Sequence, residues 1–267
     1  MTHDVIRVAV FGAAGRMGAT VCQAVLDAPD MELVAAVDPP QEGRPLDDFG
    51  IAGTGLTVQM LGPAVKAAAP TVAVDFTHVE AARGNLRWCA VNGVHAVVGT
   101  TGLTSDDFND LSALFDGERA NAVVAPNFAI GAVLMMHLAA LSAPWFESAE
   151  IIELHHDNKL DAPSGTAMLT AQRMAEASAD WGADPTRTFA LAGARGGEGP
   201  AGIHVHSVRL RGLVAHQEVL LGTTGQTLSI RHDSYDRTSF MPGVLLSVRE
   251  VAGRPGLTIG LDQLLGL

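Results

Sequence analysis

What most restricts the fold of this chain is a rhythm in its first half. Short uninterrupted apolar runs alternate with segments of helical period. The runs are IRVAVFG (6–12), MELVAAVD (31–38), TVAVDFT (71–77), VHAVVGT (94–100) and NAVVAPNF (121–128). Rich in Val and Ala and without strict polar/apolar alternation, they read as strands covered on both faces. Helices are expected between them at Arg16 to Leu26, Val79 to Val91 and Ser105 to Glu118, the last opening on SDDF with acids in its first turn. Doubly covered strands joined by helices imply a doubly wound parallel sheet.

After Phe128 the texture changes. The segment FAIGAVLMMHLAALSAPWF (128–146) is long and apolar, but it contains His137, Ser142 and Pro144, and acids lie downstream. A membrane span would carry a cleaner run flanked by Lys or Arg, so a buried helix and no membrane partner are expected. A strand follows, AEIIELHH (149–156), then a helix from Ser164 to Ala177 and a glycine-rich loop, AGARGGEGPAG (192–202). Three runs then alternate at period two: IHVHSVRLRG (203–212), HQEVLLGT (216–223) and QTLSIRHDS (226–234). They imply a mixed, mostly antiparallel sheet with one helical side. A last helix is expected in TSFMPGVLLSVREVAG (238–253), before a short apolar tail. The fold class expected is α/β: an N-terminal Rossmann-like doubly wound parallel sheet plus a C-terminal α+β domain with a mixed, mostly antiparallel sheet.

Composition removes several function classes. Hydrophobic residues are 48% of 267 and charged residues 17%, enough for a sizeable core and unlike a disordered chain. A net charge of −12 argues against a nucleic-acid partner, which needs a basic face. Two cysteines, Cys22 and Cys89, stand far apart and outside any CxxC pattern, so neither a disulfide framework nor a zinc ribbon is expected. MTHDVIRVAVFGAAG has no basic stretch ahead of its apolar run. No signal peptide is read there, and a cytoplasmic location is expected.

The first chemical motif is VAVFGAAGRMG, with glycines at 12, 15 and 18. It follows a strand and opens a helix, the context a dinucleotide-binding turn requires. A tight turn needs glycine, a pyrophosphate must approach bare backbone, and the helix N-terminus supplies N–H groups and a positive dipole end. Asp38 closes the second strand 20 residues after Gly18, where an acid can bind ribose hydroxyls. The spacing is GxxGxxG, so a glycine turn without ligand stands as the weaker alternative. An acid at 38 disfavours a ribose phosphate and Pro39 supplies no cation, leaving Arg16 and Arg44 as loop cations. NADH is the expected cofactor, with NADPH tolerated.

Two more strands end in GTTG (99–102) and APNF (125–128). Ligands in open α/β sheets bind beyond such ends, although each is also an ordinary strand-to-helix turn. The third motif is ELHHDNKLDAPSGTA (153–167). A histidine there can act as a general acid after hydride arrives, and the Lys159 ammonium can bind an anion or give a proton. Ser164, Gly165 and Thr166 open a helix whose N–H groups suit a carboxylate. On chemistry alone a polar strand exit with a solvated lysine is an equal alternative.

This stretch resembles the signature of the dihydrodipicolinate reductase family. VAVFGAAGRMG, VDFT, VVGTTG, APNFAIG, GLVAHQEVLLG and SYDRTSFMPG stand in the same order, so the resemblance spans the chain. It implies NAD(P)H-dependent reduction of 4-hydroxy-tetrahydrodipicolinate, or dihydrodipicolinate, to tetrahydrodipicolinate in lysine and diaminopimelate biosynthesis. It implies His155 as catalytic acid/base and Lys159 as the second proton-transfer and substrate-binding group. His156 would bind one substrate carboxylate, and Gly165 and Thr166 the other. Gly12, Ala13, Ala14, Gly15, Arg16 and Met17 match the pyrophosphate loop, and Asp38 the ribose acid. Gly99, Thr100 and Thr101, with Ala125, Pro126, Asn127 and Phe128, match the nicotinamide contacts. Some members carry arginine after the ribose acid, where this chain has Pro39.

The resemblance also implies a homotetramer joined through the second-domain sheet and a C-terminal segment that returns to the first domain. The expected domains are 1–127 with 237–267 for the dinucleotide, and 128–236 for substrate and oligomerisation. Closure of one on the other is expected, with Asn127 to Gly131 as hinge. Rival readings are another two-domain NAD(P)-dependent dehydrogenase and a non-catalytic NAD(H) sensor. Several residues are set aside. The HVH of 204–206, with His216 and His232, reads as surface or interface histidine, and no metal site is expected. Arg209 and Arg211 read as solvated or interfacial, and Cys22 as packing. Asp75 and His78 end a strand near the cofactor region and are assigned no role.

Overall fold

The structure, a computed structural model, describes residues 5–267. The first four residues, on which the reading of the N-terminus as leaderless partly rests, lie outside the described residues. The five apolar runs of the first half are all strands: β1 (Ile6–Phe11), β2 (Met31–Val37), β4 (Val72–Asp75), β5 (His95–Val98) and β6 (Ala122–Val124). A two-residue strand, β3 (Val58–Gln59), and a late one, β12 (Leu257–Ile259), complete a seven-stranded sheet of order β12-β6-β5-β4-β1-β2-β3. Every pairing in it is parallel. Neither short strand was expected, because two or three residues carry no readable period. β12 adds the apolar tail to the sheet beside β6.

Helices cover both faces of this sheet, as its unbroken Val/Ala strands require. They are α1 (Arg16–Asp27), α2 (Pro63–Ala67), α3 (Val79–Asn92), α4 (Ser105–Leu114), α7 (Met241–Glu250) and α8 (Asp262–Leu265). Val8, Ala9, Val10 and Phe11 of β1 are wholly buried. α4 starts on a capping box between Thr104 and Asp107. It ends at Leu114, short of the expected Glu118, because Phe115 turns into the core and Gly117 takes a φ of +90° against Pro255. β6 likewise stops at Val124. Beyond Ala125 the chain leaves the ladder at Pro126, which has no N–H to donate.

The second sheet has order β11-β10-β7-β9-β8. Its strands are β7 (Ser148–His155), β8 (Gly197–Glu198), β9 (His204–Arg209), β10 (Ala215–Thr223) and β11 (Gln226–Ser234). Only β7 and β9 run parallel, so the sheet is mixed and mostly antiparallel. β8 lies inside the glycine-rich segment that was expected to be loop throughout. Two helices, α5 (Ile130–Ser142) and α6 (Gly165–Ala177), pack a core of Ala139, Ile151, Ala167, Ala171, Met174, Val205, Val219 and Leu221. α5 is shorter than its apolar run and continues as a 3₁₀ turn, Ala143–Trp145. It is not buried all round, since Leu138 and Leu141 are exposed. Among the described residues no helix is long and apolar enough to cross a membrane.

The chain forms two compact units. One runs to Ala129 and resumes over Phe240–Leu267, and the other is Ile130–Ser239.

Candidate active site

In the first unit the strand order reverses between β1 and β4, the place where an open α/β sheet offers a crevice beyond its strand ends. The turn after β1 fills that place. Gly12 has a φ of +76° and donates to the Val37 carbonyl at 2.8 Å. A Cβ on Gly18 would fall 1.9 Å from the Gly12 carbonyl oxygen, so only glycine lets the helix close against the turn. Gly15 is the N-cap of α1 and brings no side chain to cap it. The N–H groups of the first turn are therefore left for a ligand rather than for a cap. Ala13 is buried, Met17 half-buried and Arg16 exposed. The Ala14 N–H donates to Asp38 Oδ2 at 3.2 Å, which sets the acid beside the glycine turn. A bare cap with a carboxylate at its flank fits a dinucleotide, pyrophosphate to the N–H groups and ribose to Asp38. Arg44 is already engaged, paired with Asp48 at 3.0 Å and stacked over Phe49 at 4.6 Å.

The other strand-end turns converge on Phe76 and Thr77. A Cβ on Gly12 would come within 3.1 Å of the Phe76 carbonyl oxygen, and one on Gly99 within 2.1 Å of the Phe76 ring. The Phe128 ring tilts against the Phe76 ring, centroids 5.8 Å apart. Beneath them lies Asp75, buried at the end of β4. Its Oδ1 accepts from the Thr77 N–H at 2.9 Å, the Thr77 hydroxyl at 2.7 Å and the Thr100 hydroxyl at 2.9 Å. Its Oδ2 accepts from Asn85 at 2.7 Å. Asp75 thus pins the turn after β4 to the GTTG turn. Thr101 and Pro126 are exposed, Ala125 donates to the Val98 carbonyl at 3.0 Å, and Asn127 accepts from the Ala129 N–H at 2.9 Å.

The second unit holds the histidine-lysine stretch. Side chains two apart on a strand share a face, so Glu153 and His155 at the end of β7 point the same way. Their Oε2 and Nδ1 lie 2.5 Å apart. Glu153 is wholly buried. Arg209 on β9 grips it with Nη1 on Oε2 and Nη2 on Oε1, each at 2.8 Å. The Ser164 N–H reaches Oε1 at 3.2 Å. Burial would raise the Glu153 carboxyl, but hydrogen bonds from Arg209, Ser207 and His155 outweigh it and hold the group below the ordinary range. Burial also lowers the His155 imidazole; Glu153 opposes that, and the Lys159 and Arg209 cations add to it, leaving the group below its usual value.

Around this pair, Lys159 is ion-paired to Asp161 at 2.8 Å. Ser164 caps α6 by accepting from the Ala167 N–H at 3.2 Å. Gly165 is exposed, with open space where a Cβ would stand, and Thr166 is half-buried. His156 is exposed, one residue beyond the end of β7.

Two residues given no catalytic or binding role from the sequence belong here. Arg209, expected to be solvated or interfacial, is the partner of Glu153, whereas Arg211 is 92% exposed and pairs with Asp157. Glu153 was part of the quoted motif yet carried no assigned role. Its position two residues before His155 was the available signal. His204 Nε2 lies 3.2 Å from Asp184 Oδ2, and His206 Nε2 lies 2.6 Å from Glu150 Oε2. Among the described residues no group of three or more His, Cys, Asp or Glu is arranged to hold a metal. His78 is the exposed N-cap of α3.

A doubly wound sheet with an uncapped glycine turn, in a chain that also carries a buried carboxylate–histidine pair beside a helix N-terminus, defines a nucleotide-dependent oxidoreductase of two domains. The comparisons with known proteins narrow this. The family profile described as "Dihydrodipicolinate reductase, N-terminus" matches residues 6–128, and "Dihydrodipicolinate reductase, C-terminus" matches 131–265. The chain belongs to the dihydrodipicolinate reductase family. It is 51% identical to the 4-hydroxy-tetrahydrodipicolinate reductase of Mycobacterium ulcerans, over 98% of this chain and 100% of that one. It is 52% identical to the reductase of the same name from Cutibacterium acnes, over 98% and 99%. Among solved structures it resembles the dipicolinate-bound dihydrodipicolinate reductase from Paenisporosarcina sp. TG-14. The TM-score is 0.86 at 41% identity, covering 97% of this chain and 99% of that one.

Proposed function

We propose that this chain uses NADH, and tolerates NADPH, to reduce 4-hydroxy-tetrahydrodipicolinate or its dehydrated form to tetrahydrodipicolinate, a step of lysine and diaminopimelate biosynthesis. The observation that carries this is the full-length likeness to a reductase whose structure holds dipicolinate, a dicarboxylate. The chemistry of the second unit agrees with such a substrate. Two negative carboxylates call for cations and helix N–H groups in a protein of net charge −12.

The dinucleotide unit is assigned to residues 1–127 with 237–267, and the substrate and oligomerisation unit to 128–236. In the first, the N–H groups following Gly12 to Met17 hold the pyrophosphate and Asp38 accepts from ribose hydroxyls. Gly99 to Thr101 and Ala125 to Phe128 contact the nicotinamide. When bound, the nicotinamide supplies the hydride. In the second, His155 and Lys159 supply the proton that completes the reduction. Ser164 already satisfies the Ala167 N–H, which leaves the N–H groups of Gly165 and Thr166 for one substrate carboxylate. His156 binds the other. An acid at 38 and an Arg44 held by Asp48 support the preference for NADH.

The assembly assigned is a homotetramer in the cytoplasm, joined through the second-unit sheet. Ile151, Val205, Val219 and Leu221 face the helices. The alternate residues Ile152, Leu154, Val208 and Leu220 share the opposite face and are only half-buried. That face supports sheet-to-sheet association.

The test is oxidation of NADH followed by absorbance, with substrate generated in place by the preceding synthase. NADPH, His155→Ala and Lys159→Ala run in parallel. Rapid oxidation by the wild type is expected, with a fall of about 10²-fold or more in each variant and nucleotide binding intact. NADH binding without substrate-dependent oxidation overturns the assignment.

A further inference from the structure

Every hydrogen bond into Glu153 comes from a group whose role is fixed or nearly so. Arg209 is a pure donor, and its Nη1 and Nη2 lie 2.8 Å from Oε2 and Oε1. The Ser164 backbone N–H is a pure donor at 3.2 Å from Oε1. The Ser207 hydroxyl also donates to this carboxylate. The carboxylate is wholly buried, and it is an acceptor toward each of these neighbours. A histidine nitrogen 2.5 Å from such an oxygen must bring the proton itself, because two lone pairs at that separation repel.

We propose that Glu153, clamped by Arg209, is a positioning residue that holds the His155 proton on Nδ1 and turns Nε2 outward for proton transfer. The inference rests on the role assigned to His155 under the proposed function. One carboxylate also spans two parts of the reaction. Oε2 orients the imidazole, while Oε1 holds the N–H of Ser164, the cap of the helix whose Gly165 and Thr166 are assigned to the substrate carboxylate. Nε2 carries a transferable proton only when the ring is an imidazolium, and Glu153 supplies the charge that favours that form. The charged and titratable groups acting on the ring are Glu153 on its own strand, Arg209 on β9 and Lys159 in the following loop; Asp161 in turn pairs with Lys159.

Glu153→Gln tests this because the amide cannot satisfy the same donors in both orientations. With its NH₂ at the Oε1 position it would oppose both Arg209 Nη2 and the Ser164 N–H. With its NH₂ at the Oε2 position it opposes one fixed donor, Arg209 Nη1, since the Ser207 hydroxyl can rotate, and it gains a bond by donating to a bare His155 Nδ1. The second orientation is favoured, and it moves the neutral-ring proton to Nε2. Glu153→Asp keeps an acceptor-only group and should keep the proton on Nδ1.

The readout is the ¹⁵N spectrum of histidine-labelled protein, with His155→Gln used for assignment, together with turnover against pH. The wild type is expected to show a neutral Nδ1–H tautomer at His155. A folded Glu153→Gln variant should show Nε2–H, with turnover down by about 10²-fold or more and an unchanged KM for NADH. The limb on which turnover falls with rising pH should move to lower pH, since loss of the carboxylate charge weakens the imidazolium. Glu153→Asp should recover part of the turnover. An Nε2–H ring in the wild type overturns the proposal without any variant, and so does Nδ1–H retained in folded Glu153→Gln. Because the spectrum is read without substrate, a protein that fails to oxidise NADH would refute the assigned reaction and leave this test intact.

Discussion

Two acids in the described residues are almost without solvent contact, Asp75 at 1% exposure in the first unit and Glu153 at 0% in the second. Both sit at or near the carboxyl end of a strand, and both accept from several donors. The donors differ in kind. Asp75 takes a backbone N–H, two threonine hydroxyls and an asparagine amide. Glu153 takes a guanidinium, an imidazole nitrogen and a backbone N–H. A buried carboxylate must be satisfied in either case. Neutral donors spread that task over several turns and hold them in register, so Asp75 shapes the turns that the proposed function assigns to the nicotinamide. Charged and titratable donors tie the carboxylate to a proton, so Glu153 is placed to act on the group to which the proposed function assigns proton transfer.

The harshest way to break this comparison is to truncate each acid and measure urea unfolding. Glu153→Ala strands the Arg209 guanidinium, and removing one partner of a buried pair costs about 3–5 kcal/mol. Arg209 is 20% exposed at its side chain, so the lower end of that range is expected. A loss under 1 kcal/mol would mean that the pair contributes orientation without stability. Asp75→Asn should be milder, about 1 kcal/mol. The new NH₂ can face Asn85, whose own amide turns over to present its oxygen, and the Thr77 and Thr100 donors keep an acceptor. Nucleotide affinity should weaken in Asp75→Asn, because the turns around Phe76 loosen, while the His155 spectrum stays as in the wild type. A changed His155 tautomer in that variant would erase the distinction between the two acids.

The same contrast explains what the sequence made legible. The first unit could be read from residues alone. Gly12, Gly15 and Gly18 answer backbone demands that local spacing expresses, and Asp38 stands at a fixed interval because β2 has a fixed length. The GTTG and APNF turns were weaker, since their common partner is Phe76, a residue with no motif of its own. In the second unit the strand pattern was legible, but the chemistry was not. Glu153 meets Arg209 only because β7 and β9 pair in parallel, setting His155 opposite Arg209, and no local pattern announces that register. Arg209 and Arg211 look equivalent in VRLRG, yet one is half-buried against Glu153 and the other points into solvent. The short strands β3 and β12 went unread for a simpler reason: their pairing partners, not their own sequence, make them strands.

The smallest expected effect sharpens the comparison at the level of imidazoles. His95 in the first unit accepts the Asn121 N–H on Nδ1 at 3.0 Å, so it is neutral with its proton on Nε2, opposite to the tautomer assigned to His155. Burial lowers the pKa of both, and of His232. A histidine whose folded value lies below its unfolded value of about 6.5 binds fewer protons in the folded state, so the stability it supports is complete above that pH. It is lost as pH falls from the unfolded value toward the folded one. Urea midpoints should therefore decline between neutral pH and about pH 5, before the carboxylates begin to titrate. His95→Gln keeps an acceptor for Asn121 without a titrating ring, so it should flatten the first unit's share of that decline. It should leave the pH dependence of turnover untouched, because the proposed function assigns that to His155. An unchanged slope of midpoint against pH in His95→Gln would mean that the buried ring in the first unit is not held neutral by the Asn121 contact.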